Sequence, residues 1–159
     1  MKSNQVPFIP KGYQSVTPYL IINGAERAIT FYKKAFGAKE VMRVSGPHGT
    51  LGHAEIEING HRLMLADEYP DMNCRVHTHS VAHRFIHVYV KNSDATVNKA
   101  VAAGAKLHRP VQDQFYGDRS GSIEDPFGHT WHIATHTRGV PLKEMKKQAA
   151  DKAANIEQS

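Results

Sequence analysis

The chain carries one motif twice. Gly60-His61-Arg62-Leu63-Met64-Leu65-Ala66 reads against Gly128-His129-Thr130-Trp131-His132-Ile133-Ala134, and the same displacement lays Ile22-Asn23-Gly24 over Val90-Lys91-Asn92. With a one-residue slip, Gly37-Ala38-Lys39 falls on Gly104-Ala105-Lys106. Three matches in one order argue for a duplicated unit, and a duplication restricts the fold more than any local propensity does.

Each copy predicts the same elements. Ser15 to Ile22 is β-branched and apolar and reads as a strand; Ala25, Ala28, Ile29, Tyr32, Ala35 and Phe36 then recur at the spacing of an amphipathic helix that Gly37 stops. Strands follow at about 40–44, 51–58 and 61–66, with Asn59-Gly60 as a two-residue hairpin turn because both residues tolerate positive φ. In the second copy a strand from Arg84 to Val90 leads to a helix capped by Asn92 or Ser93, with Val97, Ala100 and Val101 inward and Gly104 as its stop. Strands near 107–115, 121–124 and 129–135 complete it. The prediction is an α+β chain: two β-α-β-β-β units, 13–67 and 83–136, within one domain, 13–136, and a connecting loop, 68–82. A C-terminal tail, 137–159, follows, where Leu142, Met145, Ala149, Ala153 and Ile156 predict a helix docked by one narrow stripe.

Composition excludes several classes of function. With 159 residues, 40% apolar and 22% charged, the chain suits one packed core. No stretch reaches the roughly 20 apolar residues of a membrane helix, and the start lacks the apolar run of a secretory signal, so the expected compartment is the cytoplasm. Cys74 is the only cysteine, which rules out an internal disulfide and a cysteine zinc cage; with no helix N-terminus and, apart from Arg75, no basic neighbour to lower its pKa, it reads as an unreactive thiol. The net charge of +5 is scattered, its longest basic runs being Lys33-Lys34 and Lys146-Lys147, so no nucleic-acid partner is expected. Eleven histidines are unusual for this length.

The opening Val16-Thr17-Pro18-Tyr19-Leu20, the segment Gly52-His53-Ala54-Glu55-Ile56 and above all the run Gly117 to Trp131, with Asp125-Pro126-Phe127-Gly128-His129, resemble the vicinal oxygen chelate superfamily. That superfamily includes glyoxalases, bleomycin-resistance proteins and extradiol dioxygenases, and the PhnB-like subgroup is the best match. The resemblance covers about Ser15 to His136 and implies two curved mixed sheets forming a U-shaped trough, each with its helix on the convex side. It also implies four metal-ligand positions, one per strand, which fall here on Thr17, Met64, Phe85 and His132. Only His132 is an ordinary ligand, so no metal and no other cofactor is expected.

Strand alternation sorts the remaining side chains. Thr17, Tyr19, His53, Glu55, Glu57, Arg62, Met64, Phe85, His87, Tyr89 and His132 are predicted to face the trough, while Leu63, Leu65, Ile86, Val88, Trp131 and Ile133 pack under the helices. Tyr19, Phe85, Tyr89, Phe115 and Tyr116 offer stacking surfaces; His53, Glu55, His87, Gln114 and His132 offer directed hydrogen bonds. His77, His79 and His83 read as solvated loop histidines, His61 and His129 as structural residues at strand starts, and Arg119 with Asp118 as either an ion pair or an anion site. The expected partner is a small organic ligand. The alternative is a metal-dependent lyase, isomerase or dioxygenase acting on a small oxygenated substrate, and a metal-free enzyme using Glu55 and His53 as an acid–base pair lies between the two readings. Unpaired sheet edges, together with the resemblance, predict a homodimer.

Overall fold

A computed structural model describes residues 9–68 and 85–157, with side chains through residue 151. Cys74, His77 and His79 of the expected connecting loop, and His83 just after it, lie outside the described residues, as do the side chains of Ala153 and Ile156. Two compact units divide the chain, 1–83 and 84–159.

In the first unit β1 (Tyr19–Ile21), α1 (Ala25–Phe36), β2 (Lys39–Ser45), β3 (Leu51–Ile58) and β4 (His61–Ala66) follow one another. The strands pair in the order β1-β4-β3-β2, with β1 parallel to β4 and the other pairs antiparallel. The second unit repeats the plan with β5 (Phe85–Tyr89), α2 (Ser93–Ala102), β6 (Lys106–Asp113), β7 (Asp118–Glu124) and β8 (Thr130–His136), paired β5-β8-β7-β6. A C-terminal helix, α3 (Leu142–Glu157), follows. Among the described residues no helix is long and apolar enough to cross a membrane.

The helices form where the sequence places them, and their ends show why. Gly37 closes α1 at φ 67, a left-handed conformation open to glycine at little steric cost. Asn59 and Gly60 turn β3 into β4 at φ 50 and 83, the geometry of a two-residue hairpin. Gly24, at the start of α1, has no side chain to cap it, and the cap arrives from the residue that follows β4. Asp67 Oδ1 accepts the N–H groups of Gly24 and Ala25 at 2.9 and 2.8 Å, and Oδ2 accepts that of Leu51 at 2.7 Å. Thr135 stands at the matching position of the second copy, and its hydroxyl accepts the Ser93 N–H at 2.8 Å. Asn92 adds a cap of its own, accepting from Ala95 at 2.9 Å.

Under α1 the buried Ala28, Ile29, Tyr32 and Ala35 share a core with Ile56, Leu63 and Leu65; under α2, Val97 and Ala100 do so with Ile123, Trp131 and Ile133. Each large apolar side chain so buried contributes about 1.5–3 kcal/mol. This burial fixes the other face of each sheet as the one available for chemistry.

Several elements differ from expectation. The first strand is three residues long rather than eight, since Pro18 cannot donate to a ladder, and Thr17 instead gives its hydroxyl proton to the Gln14 carbonyl. β6 ends at Asp113, so Gln114 and Tyr116 occupy the turn before β7. β7 begins at Asp118 rather than Gly121, adding Asp118 and Ser120 to a sheet. Val101 is 42% exposed because Val97 and Ala100 already fill the inward positions of α2. On α3, Met145 is half-buried but Leu142 and Ala149 are exposed, so the stripe is not covered along its described length.

Candidate functional site

The face of the first sheet opposite α1 carries a chain of hydrogen bonds around one buried carboxylate. Register sets Tyr19 beside Met64, Met64 beside Glu55 and Glu55 beside Met42, one row across four strands. Glu55 is only 4% exposed. Tyr13 donates its phenol proton to it, 2.6 Å from each oxygen, while His53 Nε2 lies 3.3 Å from Oε1 and Arg62 Nη1 donates to Oε2 at 3.4 Å. Burial pushes the Glu55 carboxyl up, but the hydrogen bonds from Tyr13 and His53 and the charge of Arg62 outweigh it, holding the group below its ordinary value. At the far side of His53, Nδ1 lies 2.9 Å from the Tyr19 phenol oxygen.

The second sheet builds a different group on the corresponding face. Register sets His87 beside His132, His132 beside Ser122 and Ser122 beside Arg109. The His87 and His132 rings lie 4.9 Å apart at 34°, and His87 and Tyr89 lie 4.7 Å apart. Tyr89 donates to Asp118 Oδ2 at 2.8 Å, and His136 Nδ1 meets Oδ1 at 2.8 Å. Burial raises the Asp118 carboxyl, yet the bonds from His136 and Tyr89 more than offset it and hold it low; the same carboxylate holds the Tyr89 phenol above its ordinary 10.0. Burial, reinforced by His87 and Arg109, lowers His132 and so favours a neutral imidazole. Ser120 Oγ is buried with no hydrogen-bond partner among the described residues.

Of the predicted site residues, Tyr19, His53, Glu55 and Met64 come together on the first sheet, and His87, Tyr89 and His132 on the second. Phe85 shares the latter face at 63% exposure. Gln114, in its turn, donates to the Gln112 carbonyl at 3.4 Å, and Tyr116 stands edge-on to Phe115 with ring centres 5.2 Å apart. Arg119 does not pair with Asp118. It faces α2 instead and forms a two-pronged ion pair with Asp94, both contacts at 2.7 Å, because alternation along β7 puts the two neighbours on opposite faces. Sequence reading missed Tyr13 and His136. Tyr13 lies in a stretch without periodicity, and no local signal ties it to a carboxylate 42 positions away.

The metal positions implied by the superfamily do not suit an ion here. Thr17 is spent on a turn, Met64 and Phe85 offer no hard donor, and His132 has His87 and Ser122 as its cross-strand neighbours. Among the described residues no three His, Cys, Asp or Glu side chains gather closely enough to hold a metal.

The family model of the Glyoxalase/Bleomycin resistance protein/Dioxygenase superfamily matches residues 14–133. The chain belongs to this superfamily. An uncharacterised protein of Mycobacterium bovis is 39% identical over 137 residues, covering 83% of this chain and 90% of its own. Among solved structures, a glyoxalase-related enzyme from Fulvimarina pelagi superposes with a TM-score of 0.61 at 26% identity, covering 77% of this chain and 87% of that one. The PhnB protein of Bacillus cereus shares the fold, with a TM-score of 0.58 at 22% identity, covering 77% and 99%. Two four-stranded mixed sheets, their helices and the C-terminal helix are the superfamily's α+β architecture.

Proposed function

We propose that this chain binds a small organic molecule on the faces of its sheets that the helices leave open, without a divalent ion or other cofactor. The supporting observation is the ring cluster of the second sheet. Phe85 and Tyr89, 63% and 54% exposed, stand beside the His87–His132 pair on the face opposite α2. Large aromatic side chains exposed next to hydrogen-bonding imidazoles suit a planar or oxygenated ligand, not a phosphate backbone. In this reading the protein is a PhnB-like member built as one domain, 13–136, acting in the cytoplasm as a homodimer. Exposed Val41, Met42 and Val44 on edge strand β2 support the dimer.

The test begins with metal content after purification without chelator. Well under one equivalent of zinc, nickel, iron or manganese is expected, and stoichiometric metal that His132→Ala loses would overturn the reading. A thermal-shift screen of small aromatic and oxygenated acids then supplies a ligand. Tyr89→Ala should weaken it by about 1–3 kcal/mol, while His61→Ala leaves it unchanged; equal effects would place the ligand elsewhere. Sedimentation should give about twice 17.7 kDa.

A further inference from the structure

The first unit holds a hydroxyl, an imidazole and a carboxylate in series. The Tyr19 phenol oxygen is 2.9 Å from His53 Nδ1, and the opposite ring nitrogen, Nε2, is 3.3 Å from Glu55 Oε1. An imidazole whose Nε2 faces an ionised carboxylate keeps its N–H on that side, which leaves Nδ1 to accept from the phenol. Glu55 is itself held in place by Tyr13 and Arg62. The closed end of the series is thus buried and fixed. At its other end stands Tyr19, 46% exposed.

We propose that Tyr19 is a nucleophile toward small activated acyl compounds, with His53 taking its proton and Glu55 holding the imidazole. A nucleophile in hydrogen-bond reach of a base, with a third group orienting that base, is the general arrangement of covalent acyl transfer. As the phenol oxygen bonds to the acyl carbon, its proton passes to His53 Nδ1. The bond from the acyl carbon to the leaving oxygen breaks, and that oxygen departs as an anion. The imidazolium remains paired with Glu55. Water then cleaves the acyl–tyrosine ester, releasing the carboxylic acid and restoring the Tyr19 hydroxyl, while His53 returns its proton to solvent.

A phenol bonded to a carboxylate behaves in the opposite way. Tyr13 donates to Glu55 and Tyr89 to Asp118, and both are held above the ordinary 10.0, first by those hydrogen bonds and then by burial. Tyr13 and Tyr89 therefore keep their protons, whereas Tyr19 has an imidazole nitrogen within reach of its phenol. The inference goes beyond the binding reading and does not depend on it, because acylation of Tyr19 requires no bound ligand.

The probe is p-nitrophenyl acetate, applied to the full chain. Release of p-nitrophenolate is followed by absorbance, and the acetylated residue is located by peptide mass spectrometry. The expected result is acetyl on Tyr19, formed about 100-fold faster than on N-acetyltyrosinamide, with Tyr13 and Tyr89 unlabelled over the same interval. Tyr19→Phe should abolish the fast phase. His53→Gln, with its circular dichroism retained, should bring Tyr19 down to the rate of the free phenol, and Glu55→Gln should slow it. Tyr19 acetylated no faster than the free phenol, or at a rate indifferent to His53→Gln, would overturn the proposal. The wild-type rate against the free phenol decides the matter even where a variant fails to fold.

Discussion

Asp125 accepts the indole N–H of Trp131 at 2.9 Å through Oδ2, while Oδ1 accepts the backbone N–H groups of Phe127 and His129 at 3.0 and 2.9 Å. The Asp125-Pro126-Phe127-Gly128-His129 run is thereby explained as structure. One carboxylate closes the turn into β8 and anchors the largest fully buried side chain, Trp131. Replacing it strands a buried indole donor and two backbone donors. Asp125→Ala should therefore destabilise the fold by about 3–5 kcal/mol, read from urea unfolding. A loss under about 1 kcal/mol would show that water replaces the carboxylate at no net cost.

The two caps supplied at the ends of β4 and β8 should differ in weight. Asp67 serves three backbone N–H groups with a full charge, whereas the Thr135 hydroxyl serves one and gives its proton to the Val90 carbonyl at 3.0 Å. Asp67→Ala is expected to cost about 2–3 kcal/mol and Thr135→Val about 1 kcal/mol. Equal costs in parallel thermal melts would count against charge as the source of the difference.

Acid should weaken the first unit through Glu55. Its carboxyl is pushed up by burial but held, on balance, below its ordinary 4.5 by Tyr13, His53 and Arg62. A carboxylate depressed in the folded state contributes stability above its unfolded value and loses that contribution as pH falls through the folded value. Asp118, depressed below 3.8, acts in the same direction at lower pH. The urea midpoint should decline on going from about pH 7 to about pH 3, and the decline should be smaller in Glu55→Gln. An identical decline in that variant would show that Glu55 makes no pH-dependent contribution.

The duplicated unit was legible because its signals are local. The stripe from Ala25 to Phe36, the stop at Gly37 and the Asn59-Gly60 turn act within a few residues, and β3 and β4 occupy the predicted ranges 51–58 and 61–66. Alternation along strands, a period-two rule, likewise separated Leu63 and Leu65 from Met64, and Trp131 and Ile133 from His132. What could not be read was which polar groups meet across strands. Glu55 and Tyr13 lie 42 positions apart, Asp118 and Tyr89 29. Nothing local distinguishes Asp118, bonded to Tyr89 and His136, from Arg119, which turns to Asp94 on the opposite face. The residues themselves determined a twice-repeated β-α-β-β-β unit, since propensity and periodicity act over a turn or a strand. Alternation along β3 already put His53 and Glu55 on one face, but only the tertiary structure decided that Tyr19, 34 positions from His53, completes the series, because strand order brings together residues that no short-range rule connects.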